Sequence, residues 1–271
     1  MYNVSVSPHV RSQNTTKSVM RDVAIALLPV LAFGVYQFGL RALMVIAICI
    51  VTCVLSELIF ELLAKKTITI FDYSAVVTGM ILAVNLPANV AWWIPVIGSV
   101  FAIVVVKMLF GGLGQNFMNP ALAARCFLLI SFTGRMSDFA TSGTLSDQFE
   151  IIKTSGFKAL TAAADATAGA TPLAVLKGGE EVDLLTLFLG FHGGCIGEVS
   201  ALAILIGGLY LIIKKVISVR IPLTYILSTA LFIFVINIAS GNDVSLNYML
   251  GQVLSGGLLV GAFFMATDYV T

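Results

Sequence analysis

Charged side chains are scarce in this sequence of 271 residues, where Asp, Glu, Lys and Arg together account for only 11%. A soluble globular domain carries about 25% charged residues. Here 59% of the residues are apolar and the mean hydropathy is +1.02. This composition excludes an ordinary soluble domain and predicts an all-α polytopic membrane protein that has the lipid bilayer as its surroundings.

An excess of charge of either sign is also missing, because the formal net charge is +1. Proteins that bind nucleic acid need a clustered basic surface, so we expect no nucleic-acid partner. We also expect no signal peptide. Residues 1–21 form a short polar arm without the apolar centre and cleavage site of such a peptide, and the first apolar segment therefore acts as its own anchor.

Cysteine is infrequent, with four residues at positions 49, 53, 126 and 195, all in apolar surroundings. This distribution does not favour a disulfide framework. Cys49 and Cys53 are four positions apart, a spacing that places two metal ligands on one face of a helix. Thiols buried in apolar segments are more often small hydrophobic side chains, so we assign no metal site.

Long apolar runs predict about eight membrane spans. Their ranges are 23–40, 43–63, 73–86, 91–110, 117–132, 196–213, 222–239 and 246–265. The Gly- and Asn-rich segment 111–120 precedes the fifth span, and a short apolar half-helix over 184–194 precedes the sixth. We expect both helices to be discontinuous, and paired interruptions are typical of membrane folds built from repeats.

Lysine and arginine positions predict the orientation of the chain. Most of them are placed on one side if the N-terminal arm is cytoplasmic. Because an odd number of spans precedes it, the polar loop 134–182 then lies outside the cytoplasm. We expect residues 1–133 to form a first membrane repeat, and 183–271 a second.

The polar loop ends in a run of small residues, 165–174, which buries little apolar area and is also the composition of a flexible linker. The pattern Asp165-x-x-Ala-Gly169-Ala170-Thr171 resembles the acceptor motif for covalent FMN attachment. Ala166 and Ala168 depart from its commonest form. The resemblance implies that a flavin transferase joins FMN to the Thr171 hydroxyl through a phosphoester, with Asp165, Gly169 and Ala170 belonging to the recognised motif.

Three further blocks, 111–121, 194–208 and 263–268, extend the resemblance over the whole chain. Together with the Thr171 motif they resemble the RnfD and NqrB family, whose members belong to the Rnf complex and to the sodium-translocating NADH:quinone oxidoreductase. The short N-terminal arm favours the Rnf member. The quinone-reductase member remains an alternative, as do a solute channel or transporter of urea-transporter type and a purely structural membrane anchor.

The resemblance implies a specific function and fold. Such proteins pass electrons between ferredoxin and NAD within a complex of membrane and peripheral subunits in the bacterial cytoplasmic membrane, and the complex moves Na⁺ or H⁺. Their fold is similar to urea transporters, with two repeats of five helices. The resemblance also implies a second, non-covalent flavin such as riboflavin among the helices. A complete second repeat would continue beyond Thr271, and the alternative is an eight-span variant.

Four ionisable residues within apolar segments are candidates for an ion route, because charge in lipid is costly. They are Glu57, Glu61, Arg125 and Glu198. The alternative is that Arg125 neutralises one of the acids and that the others reach the interface. Asn116 and Asn119 are candidate cofactor contacts, or they hydrogen-bond to backbone groups freed by the interrupted helix.

Overall fold

A computed structural model describes residues 15–66, 68–139, 171–179, 182–239 and 245–268 of the chain. Within these ranges the regular elements are helices and there is no strand, which confirms the predicted all-α class. The main helices are α1 (Thr16–Phe38), α2 (Leu40–Leu63), α3 (Ser74–Val84), α4 (Trp93–Met108), α5 (Pro120–Ser131), α6 (Thr133–Met136), α7 (Pro172–Lys177), α8 (Leu184–Leu189), α9 (Ala201–Ile213), α10 (Arg220–Ala239), α11 (Leu246–Leu254) and α12 (Leu258–Met265).

Three of the described helices, α1, α2 and α10, are long and apolar enough to cross a bilayer. The pair α11 and α12 passes the same test together, although the two helices are bent by 61°. Helices α3, α4, α5 and α9 are apolar but shorter. Each predicted apolar segment therefore contains a helix, and the polytopic class is confirmed. The count of eight crossings, the five-plus-five repeat, the division at 133 and 182 and the membrane orientation stay predictions.

The last predicted span, 246–265, is not the continuous helix that its apolar content suggested. It is interrupted at 255–257, where Gly256 adopts a left-handed φ of +68°. Only glycine takes this conformation without steric cost. The predicted discontinuities before the fifth and sixth spans are confirmed, since 111–119 and 191–200 are not helical. The second one is longer than predicted, because the half-helix expected over 184–194 ends at Leu189 and the span expected from 196 begins at Ala201.

Helices α1 and α9 are antiparallel and pack through glycine. Gly207 of α9 lies so close to α1 that an added Cβ would be 2.2 Å from the carbonyl oxygen of Ala26. Nearer the start of α1 and the end of α9, the Tyr210 hydroxyl is 3.4 Å from Asp22 Oδ1. We call the end of the bundle at which α1 begins and α2 ends the lysine end, because Lys65 and Lys66 follow α2. Helix α9 therefore runs towards the lysine end.

Helix α3 occupies the centre of the protein, where all of its residues except Val76 are buried. It stops at Asn85, and the chain beyond it pairs with the interruption before α9. The Ile196 N–H donates to Leu86 O at 3.0 Å, and the Gly197 N–H donates to Val84 O at 2.9 Å. These bonds pair backbone N–H and C=O groups that have no partner within a helix. Irregular backbone inside a membrane protein requires such pairing, because no water is available in the bilayer.

Candidate functional site

A buried ion pair lies near the lysine end. Lys107 in α4 and Glu57 in α2 are each 1% exposed, and the Lys107 ammonium lies 2.9 Å and 2.7 Å from the two Glu57 carboxylate oxygens. Lys107 also donates to the Ser74 hydroxyl at the start of α3 at 2.7 Å. The ammonium is thus surrounded by oxygen atoms from two helices, which offsets the cost of removing it from water.

Glu61, one turn beyond Glu57, is also 1% exposed and extends this group. The Thr69 N–H donates to its two carboxylate oxygens at 3.1 Å and 3.2 Å, and the Thr69 hydroxyl donates to Glu61 as well. We call Glu57, Glu61, Thr69, Ser74 and Lys107 the Lys107 cluster. A cavity of about 610 Å³ adjoins it, and Glu57, Glu61 and Thr69 form part of the cavity wall.

A second polar group lies where the two halves of the chain pair. Arg125 Nη1 in α5 donates to Asn85 Oδ1 at 2.9 Å, and its Nη2 is 4.0 Å from Cys195 Sγ. Glu198 Oε1 accepts the Cys195 N–H at 2.9 Å. We call Asn85, Arg125, Cys195 and Glu198 the break cluster. In the described ranges, the only ion pair within 4.0 Å is that of Lys107 and Glu57, so Arg125 and Glu198 are not paired at that distance.

The four candidates for the ion route therefore fall into two groups. The Lys107 cluster touches the first residue of α3 and the break cluster touches the residue after its end. At 1.5 Å per helical residue, the two groups are roughly 16 Å apart. Arg125 neutralises neither acid of α2, because Glu57 is paired with Lys107 and no carboxylate among the described residues lies within 4.0 Å of Arg125. The sequence signal for this partner was a lysine within an apolar segment.

Asn116 and Asn119 use their amide groups within the protein. With its amide nitrogen facing them, Asn116 donates to Lys107 O and Gly112 O at 3.1 Å. Asn119 caps α5 by accepting the Ala121 N–H at 3.0 Å, and it donates to Asp268 Oδ2 at 2.8 Å. Nothing in these bonds tests a contact with a cofactor, which stays a prediction.

Of the attachment motif, Thr171 is described, whereas Asp165, Gly169 and Ala170 lie outside the described residues. It caps α7 with its backbone: Thr171 O accepts the Ala174 N–H at 2.8 Å, and its side chain makes no capping bond. Helix α7 packs against α11 and against residues 255–257, which follow α11. A Cβ added at Gly251 would be 3.1 Å from Leu176, and one at Gly256 would be 2.7 Å from Leu173.

The same interruption faces the break cluster. A Cβ added at Gly257 would lie 3.7 Å from Arg125 Nη1 and 3.9 Å from Glu198 Oε2. Glycines 256 and 257 therefore contact α7 on one side, through Leu173, and lie next to Arg125 and Glu198 on the other. Within the described structure two buried polar atoms have no hydrogen-bond partner: Ser255 Oγ, directly before Gly256, and Asn247 Oδ1, in the first turn of α11.

Comparison with known proteins decides the family. The family described as NQR2, RnfD, RnfE matches residues 3–271 of this chain. The chain belongs to this family. Its relatives include the D subunit of the "Na(+)-translocating ferredoxin:NAD(+) oxidoreductase complex" of Acetobacterium woodii, which is 50% identical over 99% of this chain and 77% of the relative.

Another relative is the D subunit of the "Proton-translocating ferredoxin:NAD(+) oxidoreductase complex" of Clostridium ljungdahlii, 36% identical over 100% of this chain and 80% of that protein. The D subunit of an "Ion-translocating oxidoreductase complex" from Alcanivorax borkumensis is 34% identical over 98% of this chain and 80% of that protein. The predicted resemblance to the RnfD member of the family is confirmed by these relatives.

Proposed function

We propose that this chain is a membrane subunit of an ion-translocating ferredoxin:NAD⁺ oxidoreductase complex and that it carries FMN covalently on Thr171. The observation that carries the proposal is 50% identity over 99% of the chain to a protein named as such a subunit. Membership of a complex implies other membrane and peripheral subunits as partners, and covalent attachment implies a flavin transferase.

The residues around Thr171 fit a flavin. Ser255 Oγ and Asn247 Oδ1 are buried and have no partners among the described residues, and such atoms favour a polar ligand. Gly257 places backbone without a side chain next to two groups that can bind a polar ligand, since a Cβ there would be 3.7 Å from Arg125 Nη1 and 3.9 Å from Glu198 Oε2. When bound, the flavin supplies a carrier of one or two electrons, which no side chain provides.

Attachment needs one hydroxyl. Thr171 Oγ forms a bond to the phosphorus of the FMN half of FAD, the phosphoanhydride bond breaks, AMP leaves, and the hydroxyl proton passes to a base of the transferase or to water. The hydroxyl of Thr171 makes no capping bond within α7, which leaves its oxygen available as the nucleophile.

We expect the denatured protein, co-expressed with the transferase, to give a fluorescent band under ultraviolet light. Peptide mass spectrometry should find the mass of FMN on Thr171. Thr171→Ala should remove the fluorescence, and Thr167→Ala should keep it. A dark wild-type band would contradict the proposal and favour a solute channel. If the fluorescence is present but Thr171→Ala leaves electron transfer by the complex intact, the protein is a structural anchor.

We also propose the Lys107 cluster as part of the ion route, with the lysine end facing the cytoplasm. Its carboxylate and hydroxyl oxygens are the ligand types that hard cations prefer, and the adjoining cavity of about 610 Å³ gives access to them. The named relatives divide between Na⁺ and protons. Oxygen atoms of this kind accept either ion.

Glu61→Gln should lower ion uptake by at least about tenfold, equivalent to about 1.4 kcal/mol, because the substitution removes a negative charge from the cavity wall. Uptake is measured in vesicles that contain the assembled complex, driven by reduced ferredoxin and NAD⁺. Asp22→Asn, a matched change at the same end of the bundle, should leave uptake within twofold of wild type. Equal uptake by the two variants would exclude Glu61 from the route.

A further inference from the structure

Arg125 is a half-buried cation that has no carboxylate within 4.0 Å among the described residues. Its guanidinium has five N–H donors, of which the described residues engage one with Asn85 and approach a second with Cys195 at 4.0 Å. A cation inside a membrane protein is stabilised by an anion or by several acceptors. The remaining donors of Arg125 are therefore suited to a ligand with acceptor atoms or negative charge.

Glu198 presents an acceptor at the same place. Its Oε1 is engaged by the Cys195 N–H, whereas its Oε2, like Arg125 Nη1, is among the atoms nearest to Gly257. Gly256 and Gly257 have no side chains, and the backbone of Gly256 is in the left-handed conformation. A donor and an acceptor thus lie next to each other against bare backbone.

Helix α11 links this place to Thr171. Asn247 and Gly251 are four residues apart and share one face of α11, and Ser255, four residues further, directly follows its last turn. That face packs against α7, because Leu176 lies against Gly251. Two buried atoms of this segment, Asn247 Oδ1 and Ser255 Oγ, have no partners in the described ranges, and Ser255 is only 2% exposed. Such atoms destabilise a protein unless a ligand or water engages them.

We propose that Arg125 and Glu198, with Ser255 beside them, bind the polar edge of the flavin ring that is carried on Thr171, and that they set its reduction potential in opposite directions. The inference rests on the proposed attachment of FMN. The pyrimidine edge of the ring alternates carbonyl acceptors with an N–H donor. An arginine donor next to a carboxylate acceptor complements this alternation.

The charges of the two residues give the sign of each effect. Reduction adds negative charge to the ring, which a neighbouring guanidinium stabilises and a neighbouring carboxylate destabilises. Arg125 therefore raises the midpoint potential and Glu198 lowers it. A tenfold change in the preference for the reduced form corresponds to about 30 mV for a two-electron couple.

The test is a spectroscopic redox titration of the purified complex, in which in-gel fluorescence has first established covalent flavin on this chain. Arg125→Gln should lower the midpoint potential by about 30 mV or more, and Glu198→Gln should raise it. Arg125→Lys, which keeps the charge, should restore most of the loss. Arg135→Gln, at an exposed arginine in α6, should leave the potential unchanged.

Unchanged potentials in both Gln variants, or shifts of the same sign, would overturn the inference while leaving the attachment of FMN in place. A wild-type band without flavin fluorescence would instead contradict the proposed attachment of FMN, on which the inference rests. If the Arg125 variants do not assemble, the variant Ser255→Ala tests the inference instead. The Ser255 hydroxyl has no hydrogen-bond partner within the described structure, so its removal should not unfold the protein. A shifted flavin absorption in this variant supports the inference, and an unaltered spectrum and potential refute it.

Discussion

Lys107→Met should lower the free energy of unfolding by about 3–5 kcal/mol, because it leaves the Glu57 carboxylate buried without its counter-charge. Glu57 is 1% exposed, and the Lys107 ammonium contacts both of its oxygens. The measurement is thermal unfolding of the purified complex in detergent. The same substitution at exposed Lys66, at the same end of the bundle, should have an effect below about 1 kcal/mol.

The double variant Lys107→Met with Glu57→Gln separates charge from packing. Removing both charges should recover most of the lost stability, since replacing a whole buried ion pair is often close to neutral. The double-mutant cycle then gives a coupling energy of several kcal/mol between the two positions. If the double variant is no more stable than Lys107→Met, the loss comes from packing and the ion pair is not what stabilises this region.

Gly207→Ala should destabilise the protein by about 3 kcal/mol, the upper part of the range for overpacked cores. The added Cβ would lie 2.2 Å from the Ala26 carbonyl oxygen and 2.9 Å from Phe264 Cζ. The Phe264 ring can rotate, but the backbone oxygen cannot, so α1 and α9 must move apart. The loss should appear as a lower unfolding temperature of the detergent-purified complex.

Gly261→Ala is the matched control within another apolar helix. The nearest atom to a Cβ at this position is the Tyr225 hydroxyl at 3.8 Å, an ordinary contact. Alanine is favoured over glycine in helices by up to about 1 kcal/mol, so this variant should be as stable as wild type or slightly more stable. Equal unfolding temperatures for the two variants would mean that α1 and α9 are not in the close contact described.

Several features of the fold follow from local sequence. Helices α1 and α2 were predictable because a segment in lipid must form its own backbone hydrogen bonds and so needs a long apolar run. The discontinuities before α5 and α9 were predictable, the first from glycine, asparagine and proline in 111–120 and the second from the glycines between 193 and 197. The interruption at 255–257 was not, because glycines within an apolar run are equally typical of close helix packing. The left-handed φ of Gly256 distinguishes the two cases.

The membrane class, the family and the motif that ends at Thr171 are evident from the order of the residues, since each depends on composition or on neighbouring positions. Which charges meet depends on the packing of the helices. Lys107 lies 50 positions from Glu57, and Arg125 lies 40 positions from Asn85. Helical periodicity places a residue on a face of its own helix, but its partner is set by the helix that packs across the bundle. For that reason the four candidates for one ion route separated into two pairs. Glu57 and Glu61 lie in the Lys107 cluster near the lysine end, and Arg125 and Glu198 lie in the break cluster.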